Sequence, residues 1–298
     1  MKAAAFEYAR TSSADEACRL LHEHGDGARL LAGGQSLVPM MAMRLARPSW
    51  LIDINGIADL KYIRVEGERV RMGACTSQRM VERDAAVRDL VPLVRQALQW
   101  VGHIQTRNRG TVGGSLAHAD PSAELPLAAC VLEAEVSVRS TRGRRTIRAG
   151  DLFTGPMTTA LAADDLIEEV AWPIWGEDRV GSAFAEVSIR HGDFALVAAA
   201  AQIALDSEGR CLRASFGVGG ADATPVVFGQ LAETLAGSRL EDAIVAGVAE
   251  RAAVLLDSGE DLHASADYRR HLAGVLTARA LRSARDRAIT AGAGRTRP

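Results

Sequence analysis

Ala17, Leu20, Leu21 and His24 share one helical face behind Ser13 and Glu16, which stand at capping-box spacing, and Gly25 ends the run. A short strand from Ala28 to Ala32 then runs into a glycine pair, a short helix is expected over 37–45 with Pro39 in its first turn, and Trp50 to Ile54 reads as a buried strand closed by Asn55-Gly56. This is a β-loop-α-β unit of about fifty residues. Tyr62 to Val65 and Val70 to Gly73 pattern as a hairpin, followed by helices expected over 77–83 and 87–101. Arg107 to Gly110 reads as a loop, and Pro121 as the opening of a nearly uncharged helix through Leu132. Glu135 to Arg139, Arg145 to Arg148 and Leu166 to Trp172 complete a sheet, with Trp172-Pro173 a boundary signal. From Gly181 the pattern changes to three long strands, 184–189, 196–205 and 211–218, and then to helices only. In the last helix Tyr268, Leu272, Val275, Leu276 and Arg279 fall on one face, and the Gly-, Ala- and Arg-rich tail from Ala288 to Pro298 is expected to fray. The pattern is α+β, with expected divisions at 1–56, 57–176 and 177–287 and a flexible tail over 288–298.

Composition narrows the partners. At 298 residues, 48% hydrophobic and 24% charged, the chain is long enough for two or three cores, and a net charge of -2 leaves no basic footprint for nucleic acid. Lys2 and Lys61 are the only lysines, so a P-loop lysine clamp is excluded and any phosphate must meet backbone, hydroxyl or arginine donors. Cys18, Cys75, Cys130 and Cys211 lie far apart without a C-x-x-C pair and read as reduced, mostly buried thiols with no metal site. The N-terminal residues lack an apolar signal region and no apolar run reaches about 18 residues, which predicts a soluble cytoplasmic protein without a membrane span.

Two glycine-rich segments carry the candidate chemistry: Leu30-Leu31-Ala32-Gly33-Gly34-Gln35-Ser36-Leu37 and Thr111-Val112-Gly113-Gly114-Ser115. Paired glycines let backbone approach a ligand closely, and amides beside them can donate to phosphate oxygens. Such charge-assisted bonds contribute roughly 1.5–3 kcal/mol each, enough for two loops to hold a dinucleotide pyrophosphate without lysine. Neither segment matches G-x-G-x-x-G, which disfavours a Rossmann site. Gly33-Gly34-Gln35 also matches the tripeptide of peptide-release factors, but its neutral, strand-flanked setting lacks the RNA-binding surface that chemistry needs. His118, Asp120 and Glu124 could serve as acid and base; alternatively Asp120 caps the helix at Pro121 while Glu124 complements its dipole or faces a sugar hydroxyl.

With these motifs stand Phe6-Glu7-Tyr8, Val101-Gly102-His103, Arg107-Asn108-Arg109-Gly110, Asp120-Pro121-Ser122-Ala123-Glu124-Leu125-Pro126, Arg190-His191-Gly192-Asp193-Phe194-Ala195 and Tyr268-Arg269-Arg270. In this order they resemble the flavin subunit of the molybdenum hydroxylases, the group of the carbon monoxide dehydrogenase medium subunit and the xanthine dehydrogenase flavin domain. The resemblance implies an FAD-binding domain of the vanillyl-alcohol-oxidase type in two α/β subdomains, plus a C-terminal domain of a three-stranded antiparallel sheet and a helical bundle. It implies that Arg29 to Ser36 and Thr111 to Ser115 wrap the FAD pyrophosphate, that Glu124 meets the adenosine ribose, that Val101 packs near the adenine end, and that Leu166 or Ile167 makes an apolar contact. Phe194 stands where some relatives have Tyr or Trp, leaving stacking without a hydroxyl, and Ala185-Glu186 stands where some have a lysine near the flavin. The implied role is an electron carrier beside a small 2Fe-2S subunit and a large molybdopterin subunit, assembled as a dimer of heterotrimers. A self-contained flavin oxidase or dehydrogenase of the same fold, and a non-redox dinucleotide-binding module, are the alternatives.

Overall fold

The computed structural model describes residues 2–293. Strand β1 (Glu7–Arg10), helix α1 (Ala14–His24), strand β2 (Ala28–Leu31), helix α2 (Leu37–Ala42) and strand β3 (Trp50–Asp53) form the first layer, a parallel sheet in the order β1-β3-β2. The capping box at its head is real: Ser13 Oγ accepts the Glu16 amide at 3.2 Å while Glu16 Oε2 accepts the Ser12 amide at 2.9 Å. The parallel register, with Leu30 opposite Ile52, puts the β2–α2 connection at the carboxyl end of the sheet.

A second layer begins with strands β4 (Ile63–Glu66) and β5 (Arg69–Gly73) and helices α3 (Gln78–Arg83), α4 (Ala85–Leu90), α5 (Pro92–Leu98), α6 (Ile104–Arg109), α7 (Val112–His118) and α8 (Glu124–Val131). It is completed by β6 (Glu135–Ser140), β7 (Gly143–Arg148), α9 (Ala149–Leu152), the small pair β8 (Phe153–Gly155) and β9 (Thr158–Thr159), and β10 (Leu166–Pro173). The five long strands pair antiparallel in the order β4-β5-β10-β6-β7, and their buried face closes on α5 and α8 around Trp172, Leu93, Leu98 and Leu127.

Three expectations are corrected here. The single helix expected over 87–101 is two, because Pro92 drives Val91 out of the helical region (ψ 57°) and opens α5 as its first residue. The segment read as a loop at Arg107 to Gly110 lies largely in α6, where the Arg107 guanidinium bonds back to the Val101 and Gly102 carbonyls at 2.9 and 3.1 Å. The helix expected from Pro121 starts three residues later, at Glu124, because Asp120 Oδ1 takes the Ser122 amide at 2.9 Å and the Asp120 carbonyl takes the Ala123 amide, making a turn instead of a cap.

The last third forms the antiparallel sheet β11 (Arg179–Ser188), β12 (Ala195–Leu205), β13 (Cys211–Gly219) and β14 (Val226–Val227), under helices α10 (Gly229–Glu233), α11 (Asp242–Val254) and α12 (Ala266–Ala293). The three expected strands thus gain a fourth of two residues. Helix α12 lies hard against β11: a Cβ on Gly181 would sit 2.1 Å from the Ala284 carbonyl oxygen, and Ala288 is fully buried. That packing carries the helix through 288–293, which the composition marked for fraying; the expected tail over 294–298 lies outside the described residues. Alternation divides β11 and β12 between two cores. Ala183, Ala185, Val197 and Ala199 face α12, while Phe184, Ala198 and Ala200 face the second layer.

Candidate FAD-binding site

The first glycine segment packs backbone to backbone on the residues that lead into the second, some eighty residues further along the chain. A Cβ on Gly33 would lie 2.2 Å from the Arg109 carbonyl oxygen and 2.9 Å from Gly110 Cα, so only glycine fits where the first segment crosses the approach to the second. The carboxyl end of β2 is strapped in place by Asn55, whose Nδ2 donates to the Leu31 and Ala32 carbonyls at 3.2 and 2.7 Å, while Gln35 Nε2 donates to the Gly33 carbonyl at 3.0 Å. Gly34 takes φ +70°, which turns the chain into α2. Among the described residues the amides of Gly33, Gly34, Gln35 and Ser36 donate to no protein acceptor. A run of free amides around a left-handed glycine suits a diphosphate.

The second segment is built differently. Thr111 caps α7, its Oγ1 accepting the Gly114 amide at 3.1 Å; Val112 donates to Thr76, Gly113 to Ala74 and Ser115 to the Thr111 carbonyl. The amides of Val112 to Ser115 are therefore already bonded, and what the segment offers a ligand is a glycine surface with the Ser115 side chain beside it. Gly113 must be glycine for packing, since its Cβ would strike that of Ala74 at 2.5 Å.

The remaining candidates divide by position. Leu30, Leu31, Ala32 and Leu37 flank the first cradle; Arg29 sits at the start of β2 with Nη1 held by the Asp26 and Ala28 carbonyls at 3.0 and 2.7 Å. Val101 is half-buried against the second-layer core. Leu166 is fully buried with the α1 cluster whereas its neighbour Ile167 belongs to the core under α5 and α8. His118 ends α7, and Asp120 shapes the following turn. Phe194 is 72% exposed at the end of a loop that leans on the second layer, where His191 meets Trp100 edge-on at 5.5 Å.

Glu124 is the first residue of α8 and only 8% exposed; burial pushes its carboxyl up to about 7, and nearby Asp120 pushes the same way. The turn before it is locked to the C-terminal sheet, with Ser122 Oγ donating to the Ala195 carbonyl at 2.9 Å and Gly220 donating to the Pro121 carbonyl at 2.8 Å. Sequence reading missed three supports of this region. Asn55 read only as a turn signal, the Glu82–Arg107 ion pair at 3.2 Å has no motif, and Glu186 stood out only as a replacement for lysine. A polar residue within the strand pattern 184–189 was the available signal for Glu186.

Comparison with known proteins decides the family. The sequence pattern of the "FAD binding domain in molybdopterin dehydrogenase" matches residues 4–175, and that of the "CO dehydrogenase flavoprotein C-terminal domain" matches residues 182–284. The chain belongs to this flavoprotein family. Among curated relatives, subunit alpha of the 6-hydroxypseudooxynicotine dehydrogenase complex of Paenarthrobacter nicotinovorans is 38% identical over 97% of this chain and 97% of its own. The solved carbon monoxide dehydrogenase of Hydrogenophaga pseudoflava superposes with a TM-score of 0.93 at 33% identity, covering 96% of this chain and 99% of that one. Quinoline 2-oxidoreductase of Pseudomonas putida 86 gives 0.92 at 34% identity, covering 97% and 100%. The flavoprotein fold, an FAD-binding domain followed by a C-terminal α+β domain, extends over nearly all of this chain. Among the described residues no helix is long and apolar enough to cross a membrane.

Proposed function

We propose that this chain is the FAD-carrying, electron-transferring medium subunit of a molybdenum-containing dehydrogenase, seated between a small 2Fe-2S subunit and a large molybdopterin subunit in a dimer of heterotrimers in the cytoplasm. The observation that carries the reading is the backbone contact of Gly33 with Arg109 and Gly110, which converts two separate segments into one cradle with free amides along one wall. Gly33, Gly34, Gln35 and Ser36 hold the diphosphate through their amides; Gly113 and Gly114 leave room for it and Ser115 adds a hydroxyl. Glu124 accepts from a sugar hydroxyl, Val101 and Ile167 supply apolar contacts, and Phe194 covers a ring face. Bound there, FAD supplies an isoalloxazine that takes up two electrons and passes them on singly or in pairs.

The four cysteines support the division of labour. All are buried and unpaired, with thiols pushed by burial up to about 11 or 12, so they are poor thiolate ligands. The iron–sulfur and molybdenum chemistry accordingly belongs to partner chains, as does contact with the organic substrate. Co-expression with the genes for small and large partner subunits tests this directly. A complex whose flavin is reduced by the organic substrate only when both partners are present supports the carrier role; substrate oxidation by the isolated FAD-loaded chain would contradict it.

A further inference from the structure

Glu186 lies near the carboxyl end of β11, paired with Ala198 on the face that packs against the second layer. It is 5% exposed, and neither carboxyl oxygen has a hydrogen-bond partner among the described residues. A buried carboxylate without donors or a cation is prohibitively unfavourable, so such a group holds its proton or meets a neighbour that can accept one. The turn before Glu124 is bonded to Ala195 at the start of β12, three residues from Ala198, the strand partner of Glu186, which brings Glu124 to the same seam; burial is the main cause that pushes the Glu186 carboxyl up, and the Glu124 charge adds to it.

The surroundings separate the two carboxyls. Glu124 has what favours an anion: its own backbone amide, the amino end of α8, and Arg107 of α6, although that guanidinium is engaged with Glu82 at 3.2 Å. Asp120, in the turn before α8, opposes it. Glu186 has none of these. Strand β12 beside it carries no ionisable residue, α5 across from it presents Arg95 bonded to the Glu82 carbonyl and neutral Gln96 bonded to Ser182, and α12 packs on the opposite face of the strand.

We infer that Glu186 is the proton-holding member of a Glu124–Glu186 carboxyl pair across the seam between the second layer and the C-terminal sheet, leaving Glu124 as the member that accepts from a cofactor hydroxyl. Two carboxyls whose surroundings pull them apart divide the roles of acid and acceptor. Glu186 is thus a positioning residue, and this inference rests on the FAD reading above. Because a bound cofactor excludes water from the seam, ionising Glu186 is harder with FAD in place than without it, and FAD binding becomes linked to that proton.

The test has two arms. In cofactor-free full-length protein labelled with 13C at glutamate Cδ, two carboxyls titrate above the ordinary glutamate range, and Glu186→Gln removes the higher midpoint while leaving that of Glu124 nearly where it was. FAD affinity of the wild type falls about tenfold per pH unit above the higher midpoint, whereas Glu186→Gln, which keeps a donor but cannot ionise, binds FAD with little dependence on alkaline pH. An alkaline fall unchanged in Glu186→Gln would overturn the inference, because a merely structural Glu186 leaves the pH profile where it was. The first arm is independent of FAD: a glutamate titrating at alkaline pH upholds the pair even in a protein that binds no FAD, and its absence overturns it.

Discussion

The backbone of Gly33 rests on the carbonyl of Arg109 so closely that a Cβ there would sit 2.2 Å from the oxygen. Gly33→Ala must therefore push the two segments apart. Overpacking against backbone costs roughly 1–3 kcal/mol, and the strain falls at the ligand cradle itself. We expect the variant to fold with a lowered Tm and to purify with little flavin, measured by absorbance after denaturing release.

Asn55 sets the end of β2 from a distance of over twenty residues in sequence. Asn55→Ala leaves the Leu31 and Ala32 carbonyls without their side-chain donor, a loss of about 1–3 kcal/mol for half-buried groups. The expected result is weaker FAD binding by at least about tenfold, since roughly 1.4 kcal/mol corresponds to that factor. Fluorescence titration checks it, and an unchanged Kd would show that the strap is dispensable.

Thr111→Val removes the Oγ1 that caps α7 and leaves the Gly114 amide free. Loss of such a cap costs about 1 kcal/mol. Faster hydrogen exchange at Gly114 and Ser115 is expected, with the amides of α8 unchanged.

Both Glu124 and Glu186 hold their protons more tightly in the folded chain than at the ordinary value of 4.5. Their contribution to stability is therefore complete below that value and is lost as pH rises to about 7 and about 8, respectively. Cofactor-free protein is expected to show a falling Tm across this window. Glu186→Gln matches the wild type at the acid end and exceeds it at the alkaline end, as thermal scans at a series of pH values would show.

Much of this was legible in the sequence because local rules governed it. Ser13 and Glu16 announced α1, the alternating and apolar runs marked the strands, and Gly33 and Gly113 flagged positions where a side chain cannot fit. Pro92 splits the helix expected over 87–101 by a rule that is also local, whereas the turn at Asp120 depends on distant partners: Pro121 and Ser122 are held by Gly220 and Ala195 of the C-terminal sheet. Likewise, no local pattern reveals that the amides of the second glycine segment are taken by Ala74, Thr76 and Thr111, or that α12 continues because Gly181 admits it. Those features are products of tertiary contact.

The central claim is a diphosphate-bearing flavin held across Gly33–Ser36 and Thr111–Ser115. Equilibrium titration of cofactor-free protein with FAD and, separately, FMN tests it most directly, because FMN lacks the diphosphate bridge and the adenosine. Tight one-to-one binding of FAD with FMN weaker by at least about a hundredfold, roughly 2.7 kcal/mol, is the predicted result. Equal affinity for the two, or no binding of FAD, would contradict the account.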